Sequence, residues 1–497
     1  MGTRKRVTIV GAGVGGIATA IYLSRQGFPV TIFEKNAFPG GRCGHMIHDG
    51  HRFDIGATLL MMPETYKNIY NDFGKNLVDE MQLIRMEPVY KIKFHNHKEL
   101  LFTSDLAKMK DQLESIEPGS FSMFLSYMRE SYRTYKLSMD NIIQKNYYNP
   151  FDFFNPKTMI LLARIHAFKN HYRHTCRYFK SEILRASFTF QNIYVGQDPF
   201  QAPAVFAILP FQEITDGVWF PKGGMNKIVE SLVSIASENG VKIEYRSPVT
   251  QIKIKENRVQ GIHLSDNRYF DADIVIANAD LPYVYNELLP HSLYMRRINR
   301  LNCTCSAIVF HWGMDTTFPQ LEQHTVFVSE DYRKGIHSIF YKGASLNDPC
   351  FYVHSPVKSD PAAAPAGQDS ISVIVPVPHL NGVPNNNEDD LKIRVKNAVL
   401  NRLKEEGMAN FESHIKFERC YAQQTWKDVF NLTHGAIFGS LSHTIFQMGY
   451  LRPHNRHHNY KNLYFVGGST HPGNGVPMAL ISAKLTSEKV IRQMNDY

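Results

Sequence analysis

A glycine-rich turn near the start of the chain has the spacing of a diphosphate-binding site. The turn reads Gly11-Ala-Gly13-Val-Gly15-Gly16, follows the β-branched run Val7-Thr-Ile-Val10 and opens a segment with the spacing of an amphipathic helix. In such a strand–turn–helix unit, Gly11 permits the tight turn, Gly13 lets backbone N–H groups approach a pyrophosphate, and Gly16 lets helix and strand pack closely. The helix N-terminus adds partial positive charge. The turn therefore predicts dinucleotide binding.

An acidic residue and a second glycine turn narrow the choice of dinucleotide. Glu34 lies 18 residues beyond Gly16, at the end of the next predicted strand, where a carboxylate accepts hydrogen bonds from ribose hydroxyls. An acid at this place disfavours the 2′-phosphate of NADP. Soon after it, Gly40-Gly41-Arg42 adds a close backbone approach and a cation that can pair with a phosphate. Together these features favour an extended dinucleotide such as FAD over NAD.

A loop near the other end of the chain suits contact with a planar ligand. It reads Gly467-Gly-Ser-Thr-His471-Pro-Gly473-Asn-Gly475-Val-Pro477 and leads into a helix expected from about 477 to 494. Its glycines bring bare backbone against a ligand, and the N-terminus of the helix would stabilise negative charge on a reduced flavin. We expect this loop to hold the isoalloxazine end of FAD.

Together these motifs resemble the FAD-dependent carotenoid desaturases of bacteria and fungi, the phytoene-desaturase type within the flavin amine oxidase superfamily. The resemblance covers nearly the whole chain, and the stretch from His471 to Pro477 is its most specific part. The Gly-Asp that is common in the wider superfamily reads Gly467-Gly468 here, as is usual in carotenoid desaturases. Further stretches that carry the resemblance are Phe53-Asp-Ile-Gly56, Leu113-Glu-Ser-Ile-Glu-Pro-Gly119, Tyr194-Val-Gly196, Gly217-Val-Trp-Phe-Pro-Lys-Gly-Gly-Met225 and Ala277-Asn-Ala-Asp280.

The resemblance implies a set of cofactor residues. It assigns the ADP half to the first glycine turn, Glu34 and Arg42, and it places the backbone of Val249 against adenine. It assigns the isoalloxazine end to Gly468 and to residues 475–478. The expected cofactor residues are Gly11, Gly13, Gly16, Glu34, Lys35, Gly41, Arg42, Gly56, Val249, Gly468, Gly475, Val476, Pro477 and Met478.

The resemblance also implies a reaction, in which a hydride leaves an allylic carbon for the flavin while a proton leaves the neighbouring carbon. The substrate would be a long apolar polyene, an acyclic C30 or C40 carotenoid precursor, held in a dry tunnel. The sequence identifies no catalytic acid or base, and the electron acceptor, oxygen or a quinone, stays open. Alternatives on the same scaffold are a carotene isomerase or a terminal-methyl oxidase. A rival of another class is a non-catalytic lipid carrier like the Rab escort and dissociation-inhibitor proteins.

The elements that position these residues predict an α/β protein, with a Rossmann-type FAD-binding domain and a mixed α+β substrate domain. We expect the FAD domain to combine residues 1–75, 215–285 and 455–497. The substrate domain would fill 76–214 and 286–454, with a helical membrane-associated region at about 105–190. Further helices are expected at 106–116, 120–138 and 156–190, and further strands at 241–245, 249–255, 258–264, 273–277 and 371–377.

Charge and aromatic residues favour a membrane surface as a partner. The net charge of +9 is diffuse, without a run of basic residues, so it gives little support to nucleic-acid binding. No stretch approaches the ~20 apolar residues that span a bilayer, so we expect monotopic attachment of a cytoplasmic protein to anionic lipid. The expected contact residues at 147–180 are the apolar Phe151, Phe153, Phe154, Met159, Ile160 and Leu161 and the basic Lys157, Arg164, Lys169, Arg173, Arg177 and Lys180.

Cysteines and histidines indicate neither disulfides nor a metal site. The chain has 6 cysteines at irregular spacing and no CxxC pair, which is typical of a protein from a reducing cytosol. Two histidine clusters lack an HExxH frame and a nearby acid at ligand spacing, so we interpret them as surface basicity and expect no metal. The clusters are His166, His171 and His174, and His454, His457 and His458.

Overall fold

Two large sheets organise the part of the chain that the computed structural model describes, residues 5–95, 97–341, 346–382 and 388–495. The strands are β1 (Val7–Val10), β2 (Val30–Phe33), β3 (His45–His48), β4 (His51–Asp54), β5 (Leu83–Arg85), β6 (Tyr90–Lys93), β7 (Glu99–Phe102), β8 (Trp219–Pro221), β9 (Lys242–Glu244), β10 (Val249–Lys255), β11 (Arg258–Leu264), β12 (Tyr269–Asp271), β13 (Ile274–Ala277), β14 (Ser306–Met314), β15 (His324–Phe327), β16 (Phe351–His354), β17 (Asp369–Val377), β18 (Ile415–Tyr421) and β19 (Leu463–Phe465). The helices are α1 (Val14–Arg25), α2 (Pro63–Asp72), α3 (Leu77–Glu80), α4 (Leu106–Ile116), α5 (Ser120–Ser138), α6 (Pro156–Arg164), α7 (His171–Thr175), α8 (Glu182–Ser187), α9 (Ile208–Thr215), α10 (Asn226–Glu238), α11 (Leu281–Tyr283), α12 (Leu293–Ile298), α13 (Tyr332–Phe340), α14 (Glu388–Glu405), α15 (Gln423–Phe430) and α16 (Val476–Asn495).

The first large sheet is parallel and contains the expected strand–turn–helix unit. Its strand order is β19-β13-β1-β2-β9. All residues of β1 and β13 are buried, as expected for apolar strands of a parallel sheet that is covered on both faces. Helix α1 contacts both α10 and α16, and Ile17, Leu232 and Leu480 belong to their common core with the sheet. The expected α/β fold with a Rossmann-type sheet is confirmed.

A small antiparallel sheet, β10-β11-β12, accompanies the parallel one. The strands expected at 249–255 and 258–264 are confirmed with the same bounds. Their alternation of buried and exposed residues explains why the sequence pattern was readable, because one face packs inward and the other meets solvent.

The second large sheet is mixed and has the order β18-β14-β17-β16-β15-β6-β7. Its centre is the long antiparallel pair of β14 and β17, in register from Ser306↔Val377 to Met314↔Asp369. Helix α14 packs on this sheet, and Val395 and Leu403 of the helix share a core with Trp312. The strand expected at 371–377 is confirmed and begins two residues earlier.

The helical region between the sheets agrees with the sequence in part. Helices α4 and α5 have the expected bounds. The single helical run expected at 156–190 is wrong, because it divides into α6, α7 and α8. Asn155 and Asn170 cap the first two by accepting from backbone N–H groups, and His166, at φ +54°, ends α6 in a left-handed conformation. Among the described helices, none combines the length and apolar character needed to cross a bilayer.

Candidate active site

A cavity of about 660 Å³ opens beyond the carboxyl ends of β1, β2, β13 and β19. Ligands of open parallel sheets bind at this edge, because loops diverge there and helix N-termini point at the opening. Most of the expected cofactor residues line this cavity. They are Gly11, Gly13, Glu34, Lys35, Gly41, Arg42, Gly56, Val249, Gly468, Gly475 and Val476.

Glycines in the first turn are required by its close packing. Gly11 adopts φ +99°, and a Cβ on Gly13 would lie 2.7 Å from Asn278 Oδ1. Gly16 does not line the cavity; a Cβ there would collide with the carbonyl oxygen of Gly11, so its place is in the packing of α1. Helix α1 begins without a side-chain cap. The N–H groups of its first turn therefore remain available to an anion.

Glu34 is buried at the end of β2, where the backbone fixes its carboxylate. Its Oε2 accepts from Ala12 N and its Oε1 from Asn36 N, each at 2.8 Å. Burial raises the pKa of Glu34, although these hydrogen bonds oppose the shift. The carboxylate is thus oriented by the protein alone and keeps further lone pairs for a ligand.

Two expected residues at this end of the cavity have other partners as well. Lys35 Nζ donates to Asp428 O and Asn431 Oδ1, each at 2.7 Å, so it ties the rim of the cavity to the end of α15. Val249 opens β10 and is buried against the cavity. The cation of Lys35 is therefore engaged by the protein rather than left for the ligand.

Arg42 brings a half-buried positive charge to the cavity. Its Nη1 donates to Ile437 O, and the described residues give its guanidinium no ion-pair partner. Desolvation lowers the pKa of Arg42, while the nearby Asp280 acts in the opposite direction. Gly41, at φ +55°, makes the turn that places Arg42 there. A guanidinium of this kind, without an acidic partner, suits a phosphate.

Asp280 belongs to a stretch that carries the family resemblance, but no role in the site was expected for it. Its Oδ2 accepts from Thr433 N at 3.1 Å and Thr433 Oγ1 at 2.7 Å, and its Oδ1 accepts from Ser469 Oγ at 2.6 Å. Asp280 lines the cavity and joins the loops that follow β13, α15 and β19. It follows the buried strand β13 by three residues, a weaker signal than that of Glu34, which directly follows β2.

Arg452 holds the glycine-rich loop that follows β19, although no motif in the sequence indicated this role. Its buried guanidinium donates to Gly468 O at 2.6 Å, Thr470 O at 2.9 Å and Asn474 Oδ1 at 3.1 Å. Burial lowers the pKa of Arg452 to about 9. The loop is therefore shaped by a cation at its back, while its glycines face the cavity.

A second cavity of about 480 Å³, here called the tunnel, meets the first one. Its walls are almost entirely apolar, and Pro477 and Met478 line it rather than the first cavity. Phe154, Phe168 and Phe446 line the tunnel and are also exposed, so they mark its mouth. The two cavities share the walls formed by Gly56, Ala57, Tyr194, Phe438, Asn474, Gly475 and Val476, here called the junction.

A short chain of polar groups interrupts the apolar wall close to the junction. Thr58 Oγ1 and Tyr352 Oη are 2.9 Å apart, and Tyr352 Oη is 2.7 Å from His324 Nδ1. Thr58 and Tyr352 line the tunnel, and Thr58 directly follows the junction residue Ala57. Burial lowers the pKa of His324 to about 3, so its imidazole is neutral. This chain offers a route for a proton out of the tunnel.

Three of the expected membrane-contact residues, Phe153, Phe154 and Met159, line the tunnel, and one of the apolar residues expected to contact lipid is buried. Phe151, Phe154, Met159 and Ile160 are exposed, whereas Phe153 is buried and packs on Tyr147 and Tyr450. Leu161 is half-buried. All six basic residues are exposed: Lys157, Arg164, Lys169, Arg173, Arg177 and Lys180.

The interpretation of the histidines as surface basicity is wrong for most of them. His171, His174 and His457 are buried. Burial lowers the pKa of His454 to about 4, so that it too is neutral. The absence of a nearby acid is also corrected, because Glu130 of α5 lies against His166 and His174. The sequence missed it because the acid is 36 residues from His166 along the chain.

The cavity fits a flavin dinucleotide. Uncapped N–H groups and Arg42 suit the pyrophosphate, and Glu34 suits a ribose. Asn278 Oδ1 and Asn474 Nδ2, both of residues that line the cavity, are buried without a hydrogen-bond partner in the described structure. Buried polar atoms of this kind are usually satisfied, so they indicate that a polar ligand completes the site.

Comparison with known proteins agrees with this geometry. The family described as flavin containing amine oxidoreductase matches residues 14–491. The zeta-carotene-forming phytoene desaturase of Myxococcus xanthus is 38% identical over 489 residues, which cover 98% of this chain and 94% of that protein. The 4,4'-diapophytoene desaturase (4,4'-diaponeurosporene-forming) of Staphylococcus aureus strain Newman is 34% identical over 502 residues, with 98% and 99% covered.

Solved structures agree in fold. An oxidoreductase from Methanosarcina mazei superimposes with a TM-score of 0.64 at 18% identity, covering 97% of this chain and 100% of that one. A Rab GDI from Plasmodium falciparum gives a TM-score of 0.56 at 11% identity, with 99% and 98% covered. Because both identities are low, these structures bear on the fold alone. Family and relatives together lead to one conclusion: the chain belongs to the flavin containing amine oxidoreductase family, as an FAD-dependent oxidoreductase related to the phytoene desaturases.

Proposed function

We propose that this chain is an FAD-dependent desaturase that introduces double bonds into an acyclic C30 or C40 carotenoid precursor of the phytoene or diapophytoene type. The observation that carries the proposal is the junction, where a dinucleotide cavity meets a long apolar tunnel. A hydrocarbon has no polar group to recognise, so shape and dryness must hold it. The names of the related desaturases agree with this substrate class.

In this proposal different cofactor residues bind different parts of FAD. The first turn of α1 and Arg42 hold the pyrophosphate, Glu34 accepts from ribose hydroxyls, and the backbone of Val249 meets adenine. Gly41 and Gly56 permit close approach of the backbone to the cofactor. Lys35 ties the rim of the dinucleotide cavity to the end of α15. The isoalloxazine end rests on Gly468, Gly475 and Val476 at the junction, with Pro477 and Met478 on its tunnel side.

Each desaturation removes a hydride and a proton from neighbouring carbons. Bound FAD supplies the acceptor for the hydride. The apolar tunnel excludes water, so the proton must pass to a protein group. Tyr352 Oη can accept it while its own proton passes to His324 Nδ1, since the two atoms are 2.7 Å apart. A weakly basic imidazole suffices, because a carbon left electron-poor by hydride loss is a strong acid.

Replacement of Tyr352 by Phe tests this role. We expect Tyr352→Phe to keep its FAD and to lose product formation by about 10²-fold, the range for removal of a positioned acid–base group. Flavin content is read from absorbance and turnover from product per flavin. A buried tyrosine that lines neither cavity, Tyr66, provides the control variant Tyr66→Phe, since Tyr66 Oη makes no hydrogen bond in the described structure. Unchanged turnover in Tyr352→Phe would remove the polar chain from the mechanism.

A membrane is the proposed source of the substrate. The polyene is almost insoluble in water, and the tunnel opens among exposed aromatic side chains with basic residues around them. Such a surface suits monotopic attachment, in which apolar side chains enter the lipid and basic residues meet anionic headgroups. We therefore place the protein at the cytoplasmic face of a membrane, peripherally bound.

Product analysis in cells that make phytoene or diapophytoene tests the function. We expect the precursor to be consumed and products that lack two hydrogens for every double bond gained. Products of unchanged composition would instead indicate an isomerase, and oxygen at a terminal methyl group would indicate an oxidase. If the precursor stays unchanged and the protein purifies without flavin, the result would support the alternative of a non-catalytic lipid carrier.

A further inference from the structure

Three side chains close to a tunnel-lining segment, residues 165–168, converge on one point. Glu130 comes from α5, His166 from the connection between α6 and α7, and His174 from α7 itself. Their nearest ligand-type atoms, one from each side chain, all lie within 4.8 Å of one another. His166 Nε2 is hydrogen-bonded to Glu130 Oε1, and His174 Nε2 lies 3.8 Å from the same oxygen.

We propose that Glu130, His166 and His174 bind a divalent transition-metal cation of the zinc type. Two imidazole nitrogens and one carboxylate oxygen form a donor set that zinc accepts, and a water molecule can complete a tetrahedron. Tetrahedral bonds of about 2.1 Å place ligand atoms about 3.4 Å apart. The separation of 3.8 Å between His174 Nε2 and Glu130 Oε1 is close to that value.

Metal binding requires an imidazole nitrogen without a proton and an ionised carboxylate. In the metal-free protein a hydrogen bond joins His166 Nε2 to Glu130 Oε1, so a cation that binds must replace the proton between them.

A neighbouring residue orients the carboxylate, as the outer shell of a metal site does. Tyr178 Oη donates to Glu130 Oε2, which leaves Oε1 turned toward the histidines. The side chains of Glu130 and His166 are 29% and 23% exposed, so a cation and a water ligand can enter from solvent.

Positive charge nearby is the main opposing factor. Arg177 Nη1 lies 3.9 Å from Glu130 Oε1, but its side chain is 52% exposed and can turn into solvent when a cation enters. Lys169 acts on His174 from a greater distance. Because like charges repel, removal of Arg177 should strengthen metal binding rather than weaken it.

A cation here would connect α5 to the wall of the tunnel. The connection that carries His166 also carries Ile165, Ala167 and Phe168, which line the tunnel. The metal would therefore fix this part of the mouth, although the site itself does not depend on the proposed substrate.

Calorimetric titration of the chelator-treated, full-length flavoprotein with zinc chloride tests the site, and cobalt chloride gives a visible spectrum as a second readout. We expect one equivalent to bind and to raise the melting temperature. Binding should weaken more than about tenfold in His174→Gln and in Glu130→Gln. It should become several-fold tighter in Arg177→Gln, which keeps all three ligands. His291→Gln, which changes an exposed histidine elsewhere, should bind like the parent protein.

Two results would overturn the proposal. One is the absence of stoichiometric binding to the parent protein and to Arg177→Gln. The other is equal binding by the parent, His174→Gln and Glu130→Gln, which would identify an adventitious ion only. Circular dichroism and flavin content establish that each variant is folded. If a ligand variant fails to fold, the zinc affinity of Arg177→Gln relative to the parent tests the proposal.

Discussion

At the residue scale, Glu34 shows how the protein prepares a contact before the ligand arrives. Ala12 N and Asn36 N hold its two oxygens at 2.8 Å. We expect Glu34→Ala to weaken FAD binding about ten- to hundredfold, since a charge-assisted hydrogen bond contributes about 1.5–3 kcal/mol. Glu34→Gln keeps the shape and should lose less. The ratio of flavin to protein and quenching of flavin fluorescence measure both, and full flavin occupancy in Glu34→Ala would show the assignment to be wrong.

Glu213 makes a separate, pH-dependent contribution to stability. It is buried in α9, where Tyr90 Oη donates to its Oε2 at 2.7 Å, and burial raises its pKa from 4.5 to about 8. Between these values the folded protein binds a proton that the unfolded chain releases. The free energy of unfolding therefore falls as pH rises from 4.5 to about 8, by at most about 1.4 kcal/mol per pH unit.

The substitution Glu213→Gln should remove this dependence and keep the hydrogen bond from Tyr90. Denaturant midpoints of parent and variant, measured from pH 5.5 to pH 8, give the difference, so that other titrating groups cancel. The variant should gain stability relative to the parent as pH rises. Parallel curves would mean that Glu213 is ionised in the folded protein throughout this range.

Residues of the site divide by how far apart their partners lie in the sequence. The glycine turn and Glu34 were predictable, because one strand–turn–helix–strand unit positions them locally. The pair of Tyr352 and His324, and the contact of Glu130 with His166, were not, because tertiary packing alone brings them together. Arg452 could not be predicted for another reason. Its partners are carbonyl oxygens of the backbone and of an amide, and no sequence pattern indicates such acceptors.

At the scale of elements, α6 is unusual because the helix has no buried residue. It begins where Asn155 accepts from Thr158 N, with Pro156 in its first turn, so local capping rather than core packing defines it. Leu161 and Leu162 pack, partly buried, on a small core cluster, while Met159 and Ile160 are exposed. Exposed apolar side chains on a helix with so little core contact need another surface to cover them. We expect that surface to be lipid.

Replacing exposed apolar residues at the tunnel mouth tests this expectation. Phe151, Ile160 and Phe168 are 80%, 55% and 67% exposed, so a triple change to Ser should leave fold and flavin content intact. Sedimentation with neutral liposomes should fall several-fold, because the apolar part of binding is lost. Ile393→Ser, at a residue 61% exposed on α14, is the control and should sediment like the parent. Equal sedimentation of all three proteins would contradict insertion at the mouth.

Element boundaries were readable where one signal dominated. Helices α4 and α5 and strands β10 and β11 matched, because turn residues bound each segment and its composition favours one type of element. The helical run expected at 156–190 failed because periodicity continues through Asn170, whereas the capping geometry of that residue starts a new helix. The parallel sheet could be expected, while the pairing of β15 with β6 joins segments far apart in the chain and left no local pattern.

At the scale of the whole molecule, two sheets with different tasks are joined through one junction. The parallel sheet presents loops and helix N-termini to a charged ligand, and the mixed sheet contributes Tyr352 and Ile374 to the tunnel wall. Neither cavity alone would suffice for dehydrogenation of a hydrocarbon. The family resemblance covers nearly the whole chain, and its most specific stretch, from His471 to Pro477, lies where the two cavities meet.

Net charge acts on the molecule as a whole and is the basis of the last prediction. At +9 the protein is attracted to anionic membranes. Four exposed basic residues on α6, on α7 and on the connection between them, Lys157, Arg164, Lys169 and Arg173, would each contribute about 1 kcal/mol at such a surface. A variant with all four changed to Ser should bind anionic liposomes about a hundredfold or more weakly. A matched control variant changes four exposed basic residues on β9, β10 and β11 to Ser: Lys242, Lys253, Lys255 and Arg258. The control and the mouth variant therefore have the same net charge.

Sedimentation at low and high salt distinguishes the effect of the basic residues at the mouth from the effect of the protein's total charge. The Debye length falls from ~10 Å at 0.1 M to ~3 Å at 1 M, so parent and control should sediment with anionic liposomes at low salt and lose most of that binding at high salt. The mouth variant should sediment weakly at either concentration. Equal loss in the mouth variant and its control would mean that total charge, rather than the residues around the tunnel, attracts the protein to lipid. Absence of sedimentation for the parent under every condition would contradict the membrane as the source of the substrate, because a hydrocarbon of this length has no other route into the tunnel from water.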